Sequence, residues 1–277
     1  MAAAMRIRFW GVRGSIPCPG PDTVRYGGNT PCVEVRCGNT VLIFDAGTGI
    51  RALGHTLIDA GMAADTDIFF SHTHLDHLIG LPFYAPLFDK HNRVNIWAGH
   101  LEGEPGVEDA VRQVMSFPLF PIEVETFQAH LEFHDFNAGT TLTPRPGIAV
   151  KTMRLSHPGG ATGYRVEHNG QSVAYVTDIE LGEGPFDEGA MTLAKDAGAL
   201  IIDSTYTDRE MPEHVGWGHS SWQQVVRFAN KAKVGKLCLF HHDPDHDDGF
   251  MDAVGAAADE ARPGTIVARE GLVIELP

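Results

Sequence analysis

The run Ser71-His72-Thr73-His74-Leu75-Asp76-His77 sets three imidazoles and a carboxylate within six positions, directly after the apolar strand-like segment Asp67 to Phe70. A lone buried histidine is usually a satisfied interior residue. Neighbouring imidazoles, by contrast, compete for desolvation and repel one another when charged, so such a cluster is costly without a cation. The segment predicts a metal site fed from the end of a buried strand. In an extended loop His72 and His74 point to one side, and the following turn brings Asp76 and His77 round to a neighbouring position. Two adjacent metal sites can therefore start from one loop. Imidazole nitrogen and carboxylate oxygen suit zinc and are compatible with manganese or iron.

The rest of the chain supplies a scaffold of strands and helices. Segments rich in β-branched and aromatic residues at Arg6 to Trp10, Cys32 to Cys37 and Val41 to Asp45, separated by Gly, Pro and Asn turns, predict an opening β-meander. Ile50, Leu53, Leu57 and Ile58 then fall at helical spacing, and Asp67 to Ser71 reads as another buried strand. In the second half strands are expected at Val150 to Leu155, Gly163 to Glu167, Ser172 to Thr177, Leu200 to Asp203 and Lys236 to Phe240. A helix is expected at Ser221 to Ala232 with an apolar stripe of Trp222, Val225, Val226 and Ala229. Strands mixed with helices in both halves predict two sheets packed together and covered by helices, an α/β sandwich. Residues 87–146 read as irregular, with a short helix near Val107 to Met115 and the proline-broken run Phe117 to Ile122. They form either a lid or dimer-contact excursion within one domain, or a surface segment packed on the core.

With 277 residues, 43% apolar and 21% charged, the chain has the make-up of an ordinary globular protein, and one domain over 1–277 is the expectation. Its longest apolar runs, Thr40 to Ala46 and Leu237 to Phe240, fall short of the roughly 20 residues that cross a bilayer. Met1 to Arg8 lacks the basic segment and apolar stretch of about 7–15 residues of a secretory signal, so a cytoplasmic protein without membrane attachment is expected. Cys18, Cys32, Cys37 and Cys238 have no C-x-x-C spacing and are read as reduced thiols. Against 36 acidic residues stand 21 Lys and Arg, a formal charge of −15. Such a charge repels polyanions at long range and disfavours a large nucleic-acid partner, while a small anionic substrate remains compatible with bound cations that set the local field.

The pattern H-x-H-x-D-H after a strand resembles the signature of the metallo-β-lactamase-fold hydrolases, and four further landmarks follow the family's order. Asp45 in Phe44-Asp45-Ala46-Gly47 matches the strand-end aspartate, and His157 in Leu155-Ser156-His157 matches the third-motif histidine. Asp178 in Val176-Thr177-Asp178 matches the bridging carboxylate, and His241 after Leu237 to Phe240 matches the last histidine. The resemblance implies a four-layer αββα sandwich with two mixed β-sheets flanked by helices. It also implies one metal held by His72, His74 and His157, another by Asp76, His77 and His241, and Asp178 bridging them. Asp45 would hydrogen-bond a ligand imidazole and fix its tautomer. His241 and His242 are adjacent, so the residues alone leave either as ligand. The preceding Gly218-His219-Ser220-Ser221, which resembles the His-Ser-Thr motif of ribonuclease Z and related phosphodiesterases, favours His241.

His219 is the candidate general acid, being titratable near neutral pH and next to the start of a helix, against the alternative of an exposed residue beside a capping Ser220. Asp76 has a second candidate duty, orienting the attacking hydroxide. The acidic run Asp243, Asp245, His246, Asp247 and Asp248 is read as a solvated loop. Two metals roughly 3.5–4 Å apart share a hydroxide and lower the pKa of water from about 15.7 to about 7. A hydrolase using two divalent ions, zinc first and manganese or iron next, is therefore expected.

Arg6 to Gly11, Tyr26-Gly27-Gly28-Asn29-Thr30 and the Gly-His-Ser-Ser segment resemble the ribonuclease Z and small phosphodiesterase branch. Asp178 points away from the β-lactamases proper, which place cysteine there. Without an obvious long Gly- and Lys-rich arm, and with its acidic charge, the chain is read as acting on a small phosphodiester such as a cyclic nucleotide or cyclic phosphate. The alternatives are a tRNA 3′-processing-type endoribonuclease, a glyoxalase II-like thioesterase, a flavodiiron-type oxidoreductase and a non-catalytic metal-binding module. A homodimer is expected from the family.

Overall fold

The computed structural model describes residues 5–61, 65–101, 103, 105–182 and 184–277; Met1 to Ala4 of the N-terminal expectation lie outside them. The first half runs β1 (Met5–Gly11), β2 (Cys32–Cys37), β3 (Thr40–Phe44), α1 (Ile50–Asp59), β4 (Asp65–Phe70), the single-turn α2 (Leu75–Leu78), β5 (Arg93–Ala98), α3 (Val107–Val114) and β6 (His130–Asp135). Then come β7 (Thr141–Arg145), β8 (Ile148–Leu155), β9 (Ala161–His168), β10 (Gln171–Val176), α4 (Pro185–Ala194), β11 (Ala199–Asp203) and α5 (Trp222–Ala232). The chain closes with β12 (Lys236–Phe240), α6 (Asp248–Ala261), β13 (Ile266–Val267) and β14 (Val273–Leu276).

Among the described residues two seven-stranded sheets form, in the orders β14-β1-β2-β3-β4-β5-β6 and β13-β12-β11-β10-β9-β8-β7. Both are mixed, and the mixture follows from the connections. Short links join the antiparallel β2–β3 and β7 to β10, and the antiparallel β1 and β2 are joined by the longer segment 12–31, whereas the parallel steps need crossovers. Helix α1 links β3 to β4, α3 links β5 to β6, and α4, α5 and α6 link β10 through β13. Strand β14 returns to pair with β1, so the first sheet is completed by the far end of the chain.

Period-2 alternation sends Met5, Ile7, Phe9, Leu42, Phe44 and Phe69 inward against Val150, Tyr164, Val166, Tyr175, Ile201 and Phe240 of the other sheet. On the outer face of the first sheet Ile43, Ile68, Phe70 and Ile96 pack with Ile50, Leu53 and Leu57 of α1. On that of the second, Leu200, Ile202, Leu237 and Leu239 pack with Leu193 of α4 and Val225 and Ala229 of α5. Central strands buried on both faces are why these segments read as continuous apolar runs. The architecture is the four-layer αββα sandwich.

The reading of 87–146 as an irregular excursion is corrected. Strands β5 and β6 extend the first sheet and β7 opens the second. β6 is a half-buried edge strand whose His130, Glu132 and His134 mask its period. β7 is also an edge strand, where Pro144 and its missing N–H are tolerated. Outside the sheets this stretch holds α3 and the loop 116–122, with Phe117 91% and Leu119 71% exposed. Helices α4 and α6 and the short strands β13 and β14 were not anticipated. In α1, Ile58 faces solvent while Ile50, Leu53 and Leu57 are buried. Cys32, Cys37 and Cys238 are buried free thiols and Cys18 is half-buried. Among the described residues no helix is long and apolar enough to cross a membrane.

Candidate metal centre

Strands β3, β4, β8, β10, β11 and β12 deliver a polar side chain at or just after their carboxyl ends: Asp45, His72, His157, Asp178, Asp203 and His241. The crevice beyond the carboxyl ends of parallel strands is where an α/β fold exposes functional groups without breaking its core. Three of these residues hold left-handed backbones, Asp45 at φ 60°, Asp178 at φ 54° and His241 at φ 62°. The chain turns sharply there at a cost on the order of 1 kcal/mol each, which the surrounding packing must offset.

All seven proposed ligands converge. The ligand atoms of His72, His74 and His157 lie within 4.8 Å of one another, as do those of Asp76, His77 and His241, and Asp178 joins both groups. Asp178 Oδ1 is 3.9 Å from His72 Nε2, 3.8 Å from His157 Nε2 and 3.4 Å from His241 Nε2, and its Oδ2 is 3.3 Å from His77 Nε2. Asp76 Oδ2 is 3.2 Å from His77 Nε2 and 3.4 Å from His241 Nε2. The Nε2 atoms of His72, His77 and His241 are buried yet have no hydrogen-bond partner. Unpaired buried nitrogens facing two carboxylates form a donor set that a pair of divalent cations satisfies, so the residues present fit such ions.

Electrostatics set the protonation of this pocket. Burial and the neighbouring His77 hold His72 well below the usual imidazole range. His77 is also desolvated, but Asp76, Asp178 and Asp45 together drive it well above that range. Asp178, though burial raises it, is held well below the usual carboxylate range by His241, His77 and His72. Asp76 is lowered in the same way by His77 and His241 against its burial.

Hydrogen bonds behind the ligands fix their aim. His77 Nδ1 donates to Asp45 Oδ2 at 2.8 Å, and the same carboxylate accepts Ser71 N at 2.7 Å, Ser71 Oγ at 2.8 Å and Tyr175 OH at 2.7 Å. The Ser15 amide donates to Asp76 Oδ2 at 2.8 Å. His157 Nδ1 donates to the Gly218 carbonyl at 3.0 Å, and Thr205 Oγ1 lies 3.1 Å from His241 Nδ1. His242 turns the other way: fully buried, its Nε2 donates to the Ala268 carbonyl at 2.7 Å, so of the adjacent pair only His241 enters the cluster.

His219 stacks on His241, rings 4.9 Å apart, and donates Nδ1 to Asp203 Oδ2 at 2.6 Å. Burial would lower it, but Asp203 raises it to about 9. It is 8% exposed. Ser221, rather than Ser220, caps the following helix by accepting Gln224 N at 3.1 Å. Ser220 Oγ instead donates to the Ile179 carbonyl at 2.5 Å.

Asp203, Tyr175, Thr205 and the Ser15 amide were missed at the level of sequence. Asp203 carried the same signal as Asp45 and Asp178, a carboxylate ending an apolar strand, and could have been found by it. The run 243–248 is not simply solvated. Asp247 caps α6 by accepting Phe250 N at 2.7 Å, and buried Asp248 accepts Arg25 N at 2.8 Å. His246 stacks on Phe250 at 3.8 Å.

Residues 40–242 match the model of the beta-lactamase superfamily domain. The chain is 24% identical over 295 residues, 90% of its own length and 92% of the relative's, to a ribonuclease Z of Myxococcus xanthus. Human tRNase Z, short form, shares the fold with a TM-score of 0.69 at 21% identity, 98% of this chain and 99% of that one aligned. A diphosphatase from the PhnP family does so with a TM-score of 0.71 at 19% identity, covering 99% and 98%. These relatives overturn the expectation that a charge of −15 disfavours a large nucleic-acid partner. Net charge acts at long range and is screened beyond about 8 Å in physiological salt, whereas cations held in a site set the field that a phosphate meets there. With its fold, its carboxylate-bridged histidine cluster and these relatives in view, the chain belongs to the beta-lactamase superfamily, as a metal-dependent hydrolase of the metallo-β-lactamase fold on the ribonuclease Z-like side of that family.

Proposed function

We propose that this protein is a phosphodiesterase working with two zinc ions on a small phosphodiester such as a cyclic nucleotide or cyclic phosphate. The observation that carries this reading is the pair of three-residue groups on either side of Asp178, with three buried Nε2 atoms left unpaired. His72, His74 and His157 would hold one ion, Asp76, His77 and His241 the other, and Asp178 both. When bound, the ions supply Lewis acidity, lowering the pKa of water and drawing charge from the phosphoryl oxygens.

The chain's own groups do the rest. Asp45 holds the proton on His77 Nδ1 and so presents Nε2 as a donor to the site. The Ser15 amide pins one oxygen of Asp76, leaving the other to orient the attacking water. His219, kept protonated on Nδ1 by Asp203, carries on its other nitrogen a proton for the leaving oxygen. His74 and its chain neighbour Leu75 are exposed, as is Pro158 beside His157, so the His74 side of the cluster is open to a substrate.

Cleavage of an RNA 3′ end is the second reading, favoured by the ribonuclease Z relative that matches 90% of this chain. Metal analysis of the purified protein, with hydrolysis of bis(p-nitrophenyl) phosphate, cyclic nucleotides, a precursor tRNA and thioesters, tests both. About two zinc ions per chain and turnover of cyclic nucleotides are expected. Precursor tRNA cleaved without cyclic nucleotide turnover transfers the function to the second reading, and thioester turnover alone overturns both.

A further inference from the structure

We propose that the indole of Trp217 is a stacking platform for a nucleobase, which makes the centre one for nucleotide-bearing phosphodiesters; this rests on the phosphodiesterase reading. Trp217 is 59% exposed, an unusual setting for the largest apolar ring, and it stands on a pinned loop. The Glu180 carboxylate accepts the amides of Gly216 at 2.8 Å and Gly218 at 2.9 Å, and Trp217 N donates to the His214 carbonyl at 3.1 Å. Gly216 and Gly218, at φ 87° and 86°, take the left-handed turns that shape this loop.

The loop is joined to the metal centre. Gly218 receives the His157 Nδ1 bond, and a Cβ there would come 2.3 Å from that nitrogen and 2.4 Å from Pro158. The Trp217 backbone is therefore one residue from a backbone packed directly on His157, whose ligand nitrogen groups with those of His72 and exposed His74. A line of rings continues inward: Trp217 meets His214 edge-on at 4.8 Å, His214 stacks on Tyr206 at 4.1 Å, and Tyr206 meets His219 at 5.9 Å.

An exposed aromatic ring on an ordered loop loses little entropy on binding, and base–aromatic stacking is worth about 1–3 kcal/mol while tolerating any base. Such a neutral contact supplies affinity that does not depend on charge.

The test uses the zinc-loaded protein. In Trp217→Ala the ratio of kcat/KM for adenosine 2′,3′-cyclic phosphate to that for glycerol 1,2-cyclic phosphate, which has no base, should fall about tenfold, through KM rather than kcat, and Trp217→Phe should restore most of it. AMP, but not ribose 5-phosphate, should quench the tryptophan emission of the native chain, and the quench should vanish in Trp217→Phe. A ratio kept within about twofold, or AMP binding equally to native and Trp217→Ala protein by calorimetry, overturns the proposal. Should the native protein hydrolyse no phosphodiester, the reading of the preceding subsection fails, while AMP titration still decides whether the indole stacks a base.

Discussion

Tyr175 donates its hydroxyl to Asp45 Oδ2 at 2.7 Å, the oxygen that also takes His77 Nδ1 at 2.8 Å. A tyrosine in the second sheet, its ring 5.4 Å from that of Phe44 and 5.7 Å from that of Phe240, thus steadies a carboxylate that aims an imidazole of the first. Packing in the middle of the sandwich and donor geometry at its end are mechanically one arrangement.

Tyr175→Phe keeps the ring and removes one hydrogen bond, and should lower unfolding free energy by about 1 kcal/mol in urea. Asp45→Asn should act further, weakening binding of one of two zinc ions by about 10–100-fold when titrated against a competing chelator. Native affinity for both ions in Asp45→Asn would show that this contact orients nothing.

Removal of the ions should also destabilise the fold. Dialysis against a chelator should abolish hydrolysis and lower the thermal midpoint by several degrees, and zinc should restore both. At a free ion concentration about 100 times the dissociation constant, binding contributes about 2.7 kcal/mol to the native state. An unchanged midpoint in scanning calorimetry would be incompatible with ions at the histidine cluster.

If His219 donates a proton to the leaving oxygen, its contribution depends on the leaving group. His219→Ala and Asp203→Asn should each lower kcat about 100-fold or more for diesters with alkoxide leaving groups, and less than about tenfold for p-nitrophenyl diesters, whose leaving group needs no proton. Equal losses on the two substrate types would make His219 a structural residue.

Gly14 packs directly on the last histidine. A Cβ there would lie 2.3 Å from Cε1 and 2.4 Å from Nδ1 of His241. Gly14→Ala should displace that ring at a cost of about 1–3 kcal/mol and leave the protein holding one ion per chain instead of two. Two ions by elemental analysis would mean the ring yields without leaving its place.

Much of the site was readable because His72, His74, Asp76 and His77 share one loop after an apolar strand, a density with few other uses. Asp45, His157, Asp178 and His241 are single residues at strand ends, and only their order along the chain made them legible. Asp203 stands at an equivalent strand end and carries the same signal, a carboxylate closing an apolar strand. The double-sided strands β3, β4, β11 and β12 announced themselves by unbroken apolar runs, whereas β6 and β7, half wet at the sheet edges, carry His, Glu and Pro that look like loop. Tyr175 and Thr205 act through tertiary contacts that no spacing encodes.

His72 to His77 leave the first sheet and His157, Asp178 and His241 leave the second, so the cluster sits on the seam between the two layers. An ion held there would be gripped from both sides, a rivet as much as a reagent. Any breathing of one layer against the other would have to loosen that grip, and the rate of ion exchange with solution would then be a clock for the opening of the whole sandwich.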